Sequence, residues 1–315
     1  MVTRAMAFKG KHKKDHYFEG WYYKCVSKDE RHTVSFIPGI SINKKHPHAF
    51  IQVIHNEAGR RVSTAYLPFD IEAFGYDFKK HMVIIDDNRF GLDVIDVRHE
   101  SDDIQMRGTL RMTETTPIQT CVSSPSIMGW FAYLPFMECN HDVVSMDHFL
   151  FGSLDLDGTT IDFNGGKGYM EKDYGRSFPE AYVWMQSNHF GRKKTSFMFS
   201  YATIPYLGFR FKGFIANLVI HGNEYRFATY NRAKMTIRTH TQDHFGFELK
   251  KGKRRLVVDA RNHTTAELAS PRNGMMEETI KEGLSGTLEL TFYENDRVIF
   301  SGTGEHAGLE IMLDD

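Results

Sequence analysis

The stretch GYMEKDYGRSFPEAYVWMQSN, residues 168–188, gathers acidic, basic and aromatic side chains more densely than any other part of the chain. Glu171, Lys172 and Asp173 follow a run of strand-forming residues and precede Gly175 and Pro179, which places them at a bend. Beyond that bend, strand alternation sets Tyr182, Trp184, Gln186 and Asn188 on one face. An indole beside two neutral amides suits a barrel interior that binds a ligand; the plainer role for Gln186 and Asn188 is to satisfy backbone groups at a barrel mouth. In HYFEGWYYKC, residues 16–25, the same alternation groups Trp21, Tyr23 and Cys25, with Trp21 placed to plug one end of a barrel. A third group, MECNHDVVSMDHF at 137–149, brings His141, Ser145, Asp147 and His148 close in sequence. It contains no HExxH pair, and Ser145 lacks the G-x-S-x-G elbow of an activated serine. No metal site is expected. GGKG at 165–168 lacks the Ser or Thr and the helix that complete a phosphate loop, and no GxGxxG opens a helix.

These groups need a scaffold, and the sequence spells an all-β one. Short runs rich in β-branched and aromatic residues, such as HTVSFI and SFMFSYATI, alternate with Gly, Asn and Asp turns, while helical periodicity is scarce. The chain also repeats itself. Residues 21–27 resemble 182–188, 32–42 resemble 194–204, and 50–66 resemble 214–230; FGLDV at 90–94 resembles FGFEL at 245–249, and GSLDL at 152–156 resembles GTLEL at 286–290. Matches in one order predict two tandem antiparallel barrels from an internal duplication, spanning 1–172 and 173–315. The second copy is shorter between its FG and G-[ST]-L motifs. There the first copy carries the uncharged run 115–137, read as an insertion. Pro117, Pro125 and Pro135 exclude a spanning helix for that run. Its apolar half, IMGWFAYLPFM, reads as a buried crossover loop or as a lid or patch that touches lipid.

Of 315 residues, 39 are Lys or Arg and 40 are Asp or Glu, for a formal net charge of -1. That balance removes the basic excess on which nucleic-acid binding depends. Hydrophobic residues at 41% and charged residues at 25% describe a folded, soluble chain. Three cysteines, Cys25, Cys121 and Cys139, are too few for a disulfide framework and point to a reducing compartment. The N-terminus has no apolar core of the kind a secretory signal requires. A cytoplasmic protein is expected, with a transient peripheral membrane contact as a further option.

FEGWYYK at 18–24 resembles the element that opens tocopherol cyclase-like proteins. Glu171-Lys172-Asp173-Tyr174-Gly175, then Ser177-Phe178-Pro179 and Trp184-Met185-Gln186-Ser187-Asn188, is similar to that family's EKNWG…FP…W-x-Q-x-N element; Gly129-Trp130, Pro135 and Glu138 match a GW…P..E pattern. The resemblance implies tandem lipocalin-like barrels, shared with carotenoid hydratases and some pericyclases. It also implies a reaction without cofactor: a prenylated quinol, or another isoprenoid lipid, closes a chroman ring by adding its phenol oxygen across a side-chain double bond. In the hydratase relatives a catalytic Tyr-x-Asp element precedes the Asn-Trp-Gly; its positions here are Tyr169 and Glu171. Asp173 for Asn, Tyr174 for Trp and Arg176 for a small residue depart from the family pattern and alter the charge beside the site. The implied chemistry needs a carboxyl group that burial keeps protonated, Glu171 first and Asp173 second, and a group to accept the phenol proton, His141 or Tyr169. Trp21, Trp184, Tyr169 and Tyr174 are the aromatic faces for a carbocation, and Trp130, Gln186 and Asn188 complete the ligand-binding set. Two plainer readings stand beside this one: an ion pair of Glu171 with Lys172 or Arg176, and a lipocalin-type carrier that binds an apolar molecule unchanged.

Overall fold

The computed structural model describes residues 2–60 and 62–313. It contains two compact units, Met1–Ile118 with Cys139–Phe178 and Leu268–Thr279, and Gln119–Glu138 with Pro179–Glu267 and Ile280–Asp315. The first sheet is built from β1 (Tyr17–Val26), β2 (His32–Ile42), β3 (His48–Glu57), β4 (Ser63–Asp70), β5 (Phe74–Asp77), β6 (Met82–Ile85), β7 (Asn88–Phe90), β8 (Val94–Glu100), β9 (Gln105–Thr113), β10 (Cys139–Leu156), β11 (Thr159–Asp162) and β12 (Gly166–Gly175). The second uses β13 (Tyr182–Ser187), β14 (Ser196–Tyr206), β15 (Phe209–Ile220), β16 (Asn223–Ala228), β17 (Lys234–His240), β18 (His244–Lys251), β19 (Arg254–Arg261), β20 (Ala266–Arg272), β21 (Met275–Glu294) and β22 (Arg297–Met312). Among the described residues no helix is long and apolar enough to cross a membrane.

Strand order is 4-3-2-1-12-10-9-8-7-6-5 in the first sheet and 16-15-14-13-22-21-19-18-17 in the second. Two chain connections reveal how both sheets curl. β4 and β5 stand at opposite ends of the first order, yet only the 3-10 helix Ile71–Ala73 separates them in the chain. β16 and β17 are likewise the two ends of the second, joined through the 3-10 helix Thr229–Asn231. So short a link forces each sheet to roll until its ends approach, the lipocalin-like arrangement. The shared order bears out the duplication, with β1–β4 repeated as β13–β16 and β12 repeated as β22.

The faces, however, are out of phase with the sequence matches. Trp21, Tyr23 and Cys25 of β1, Val34 and Phe36 of β2, and Ile51 and Val53 of β3 fill the first lumen. Their true counterparts are Val183 and Met185, Phe197 and Phe199, and Ala216 and Leu218. The first three matches therefore slip by one residue, which exchanges inside for outside. Only the G-[ST]-L match keeps phase, pairing Leu154 and Leu156 with Leu288 and Leu290. The FG match joins β7 to β18, whose topological counterpart is β8.

The units are also not continuous stretches of chain. β12 runs on to Gly175, opposite Phe18 of β1, so residues 173–175 belong to the first sheet rather than to a second half beginning at 173. The uncharged run leaves between β9 and β10, and its residues 119–137, with Glu138 after them, cluster with the second unit. After β19, residues 268–279, most of β20 and the start of β21, cluster with the first. Each half lends a segment to the other unit. In the second unit Arg226 anchors the lent strap, donating to Ser124 Oγ at 3.1 Å and to the Gln119 carbonyl at 2.8 Å.

The first lumen is closed by its own N-terminus. Trp21 Nε1 donates to the Met6 carbonyl at 2.9 Å, and Phe8 packs against Trp21, Phe74 and Tyr76. Lys172 Nζ, 3.0 Å from Glu19 Oε1, also donates to the Ala7 carbonyl. Glu19 in turn accepts from the Lys9 and Gly10 amides and the Tyr17 hydroxyl. Trp21 is wholly inaccessible, packed against Phe8, Phe74 and Tyr76.

Candidate active site

β12 divides its side chains between two faces. Met170 and Lys172 point into the filled lumen, so Tyr169, Glu171 and Asp173 take the outer face. That face is nonetheless buried: Glu171 is only 4% exposed, and Tyr169 is inaccessible. Neighbouring strands complete the group. β10 sets His141 opposite Asp173, and β1 sets Tyr22 opposite Glu171 and Lys24 opposite Tyr169.

The four residues expected to do chemistry lie together. His141 Nδ1 is 2.9 Å from Asp173 Oδ1, and its Nε2 is 3.3 Å from Glu171 Oε2. The Tyr169 hydroxyl donates to the same Glu171 oxygen at 2.5 Å. The two cations adjacent in sequence are engaged elsewhere: Lys172 with Glu19, and Arg176 Nε with Asn273 Oδ1 at 2.8 Å. The partners of Glu171 thus include an imidazole and a phenol.

Burial is the largest single influence on His141 and by itself would weaken its hold on a proton. The charges of Asp173 and Glu171, with their hydrogen bonds, outweigh it and raise the His141 pKa well above its usual value. At neutral pH the ring is therefore an imidazolium between two carboxyl groups. The ring already carries a proton, so it can take one from a phenol only after giving its own away. Tyr169 is no base, because burial first and the Glu171 charge next push its pKa far upward. It remains a neutral phenol aimed at Glu171.

His141, Glu171 and Asp173 each offer a ligand atom within 4.8 Å of the others, a donor set that could hold a cation. Their arrangement around the ring argues for a different use. Glu171 faces Nε2 while Asp173 faces Nδ1, and one ion bonds only one ring nitrogen. Such a carboxylate–imidazolium–carboxylate row fixes the orientation of the ring and directs Nε2–H at Glu171.

The remaining expected residues lie elsewhere. Tyr174 is on the lumen side, with Lys172 Nζ 4.8 Å from its ring centre. Tyr182, Trp184 and Gln186 do not line a barrel interior; Val183 and Met185 take that side, leaving them buried on the outer face of the second sheet. Asn188, just beyond β13, is buried as well. Trp130 stands half-exposed on the strap of the second unit, against Phe131. Ser145, Asp147 and His148 form no triad. His148 Nδ1 lies 3.1 Å from Ser145 Oγ, and burial lowers its pKa to about 3, while Asp147 faces Lys167 at 3.7 Å.

Several buried polar residues were passed over in the sequence. Tyr22 accepts a hydrogen bond from Ser35 Oγ at 3.1 Å. On the second sheet Tyr182 donates to Glu310 Oε2 at 2.5 Å, and Glu310 pairs across from Trp184 as Glu171 does from Tyr22. The signal available was the alternate set in FEGWYYK, Tyr22 and Lys24, hidden because both faces of that strand are buried.

Comparison with known proteins places this geometry. Residues 102–313 match the family described as tocopherol cyclase-like. A stretch of 65 residues, 21% of this chain, is 32% identical to the probable chloroplastic tocopherol cyclase of Oryza sativa subsp. japonica and to the chloroplastic tocopherol cyclase of Zea mays. That stretch spans 14% of either plant protein. Two crystal structures share the fold at 10% identity. CghA with Sch210972 has a TM-score of 0.59, covering 95% of this chain and 89% of CghA. Kievitone hydratase from Nectria haematococca has a TM-score of 0.55, covering 94% and 89%. With its family elements running in order over most of its length, this chain belongs to the tocopherol cyclase-like family.

Proposed function

We propose that the protein is a cyclase that adds the phenol oxygen of a prenylated quinol, or of a related isoprenoid lipid, across a side-chain double bond. The observation that carries this reading is the buried row Asp173–His141–Glu171, which stores one proton against water and holds it beside a phenol. A proton shift along the contact turns the imidazolium and Glu171 carboxylate into neutral imidazole and neutral carboxylic acid. In a site of low polarity these two forms lie closer in energy than in water, because the charged pair has lost its hydration. The Glu171 O–H then protonates the alkene. Its π electrons form the new C–H bond and leave a tertiary carbocation, stabilised by the Glu171 and Asp173 carboxylates and the faces of Tyr22 and Tyr169, at about 0.5–2 kcal/mol per ring. The phenol oxygen closes the C–O bond, and its proton passes to the now neutral His141, restoring the starting state. Atoms balance without a cofactor. Acting on such a lipid, the protein would work in the cytoplasm in peripheral contact with a membrane.

The pH profile tests this with a prenylated hydroquinone as probe. His141 binds its proton more tightly than a free histidine, so turnover should persist above the ordinary histidine pKa of about 6.5 and fall only as the raised pKa is passed. A probe that binds yet is recovered unchanged at every pH would replace the cyclase with a carrier.

A further inference from the structure

The second unit displays apolar side chains in a way that costs it stability. β14 and β15 form a hairpin in which Tyr206 pairs with Phe209, leaving Leu207 and Gly208 as the two turn residues. Both have positive φ, 47° and 86°. This is the geometry for which Asn-Gly is the unstrained choice, and a leucine pays for it in backbone strain. Leu207 gains no burial in return, being 67% exposed, and Phe209 is 78% exposed. Strand alternation puts Phe209 and Phe211 on one face of the arm and Arg210 and Lys212 on the other.

The aromatic face continues onto the strap. The Phe131 ring lies 5.8 Å from Phe211 and 4.3 Å from Trp130, within the 3-10 helix Gly129–Tyr133. Tyr133 projects from the same short helix, more than half exposed. The run 115–137 carries no charge at all. Charge gathers beside it. Arg210 and Lys212 are exposed on the arm, and Arg232 and Lys234 follow Tyr230, whose ring is 6.1 Å from Phe131. Arg210 is partly answered by Glu180 at 3.3 Å, an exposed pair worth little against a charged surface.

We propose that the 204–212 arm and the 129–133 helix form a docking surface for a lipid bilayer bearing anionic headgroups. Leu207 and Phe209 at the tip of the arm reach the acyl boundary, Trp130 and Tyr133 sit at headgroup depth, and Arg210 and Lys212 on the other face of the inserted arm, with Arg232 and Lys234, meet the surrounding anionic phosphates. A second copy of the chain is the competing occupant, but the basic residues that flank the arm and follow Tyr230 would meet their own like charges across a twofold contact. The surface stands independently of the proton chemistry, since its test needs no turnover.

Co-sedimentation with vesicles decides it. The full chain should pellet with vesicles of equal parts phosphatidylcholine and phosphatidylglycerol, less with phosphatidylcholine alone, and less again in high salt. Leu207→Asn with Phe209→Ser should weaken that partition at least about tenfold. Leu207→Asn relieves the turn strain, so its thermal midpoint should hold or rise, separating lost binding from lost fold. Arg210→Ser with Lys212→Ser should weaken the preference for anionic vesicles. A wild-type chain that stays in the supernatant with both vesicle types, or an apolar variant that pellets as the wild type does, would overturn the proposal. A stable dimer dissolved by the same apolar substitutions would assign the face to a second copy.

Discussion

Glu171→Gln should lower kcat on a prenylated hydroquinone by about 10³-fold, the range in which positioned acids act, while the protein folds and still binds the probe. Glutamine keeps the volume of the buried side chain and can still accept the Tyr169 hydrogen bond, but it cannot carry the proton. His141→Gln should cost a similar factor, since it empties the store from which Glu171 is charged. The double variant should be no worse than the more damaged single one, because residues that act as one unit are not additive. Single-turnover rates with saturating probe read the effect directly. A Glu171→Gln protein that binds and turns over at the wild-type rate would remove the acid from the account.

The second large effect concerns stability. Lys172 and Glu19 lie 153 residues apart and are both wholly inaccessible, joined at 3.0 Å. Lys172→Met leaves the Glu19 carboxylate buried without its cation, an imbalance that typically costs about 3–5 kcal/mol. The loss should appear as a lower denaturant midpoint, with release of the N-terminal plug seen by proteolysis near Lys9–Lys14. Pairing Lys172→Met with Glu19→Gln should recover a large part of that loss, since no uncompensated charge remains. A single variant as stable as the wild type would mean that this pair does not secure the plug.

What could be read from the sequence, and what could not, follows from where alternation carries information. The strand vocabulary and the repeat were legible because turns and β-branched runs are local signals. The inside and outside of WYYKCV were not, since β1 is buried on both faces and almost every position looks apolar. That is why three repeats slip by one residue, why Trp184 and Gln186 read as lumen residues, and why Tyr22 and Lys24 carry no distinguishing signal. Tyr169, Glu171 and Asp173 share a face because β12 runs on through Gly175 instead of bending at 171–173 as the nearby glycine and proline suggested, and alternate positions on one strand share a face whichever face it is. His141 joins them through the register of β10 on β12, which local sequence does not specify. The lent segments 119–138 and 268–279 depend on contacts far apart in the chain, which leave no local trace.

The central claim is that one proton held in the Asp173–His141–Glu171 row is delivered to carbon. Turnover of a prenylated hydroquinone in D2O, with the product read by mass spectrometry and NMR, tests it most directly. The account predicts a ring-closed isomer carrying a single non-exchanging deuterium on the former alkene carbon that bore the hydrogen, and none from Glu171→Gln. Recovery of the probe with its double bond intact, or a cyclised product without deuterium, would contradict it.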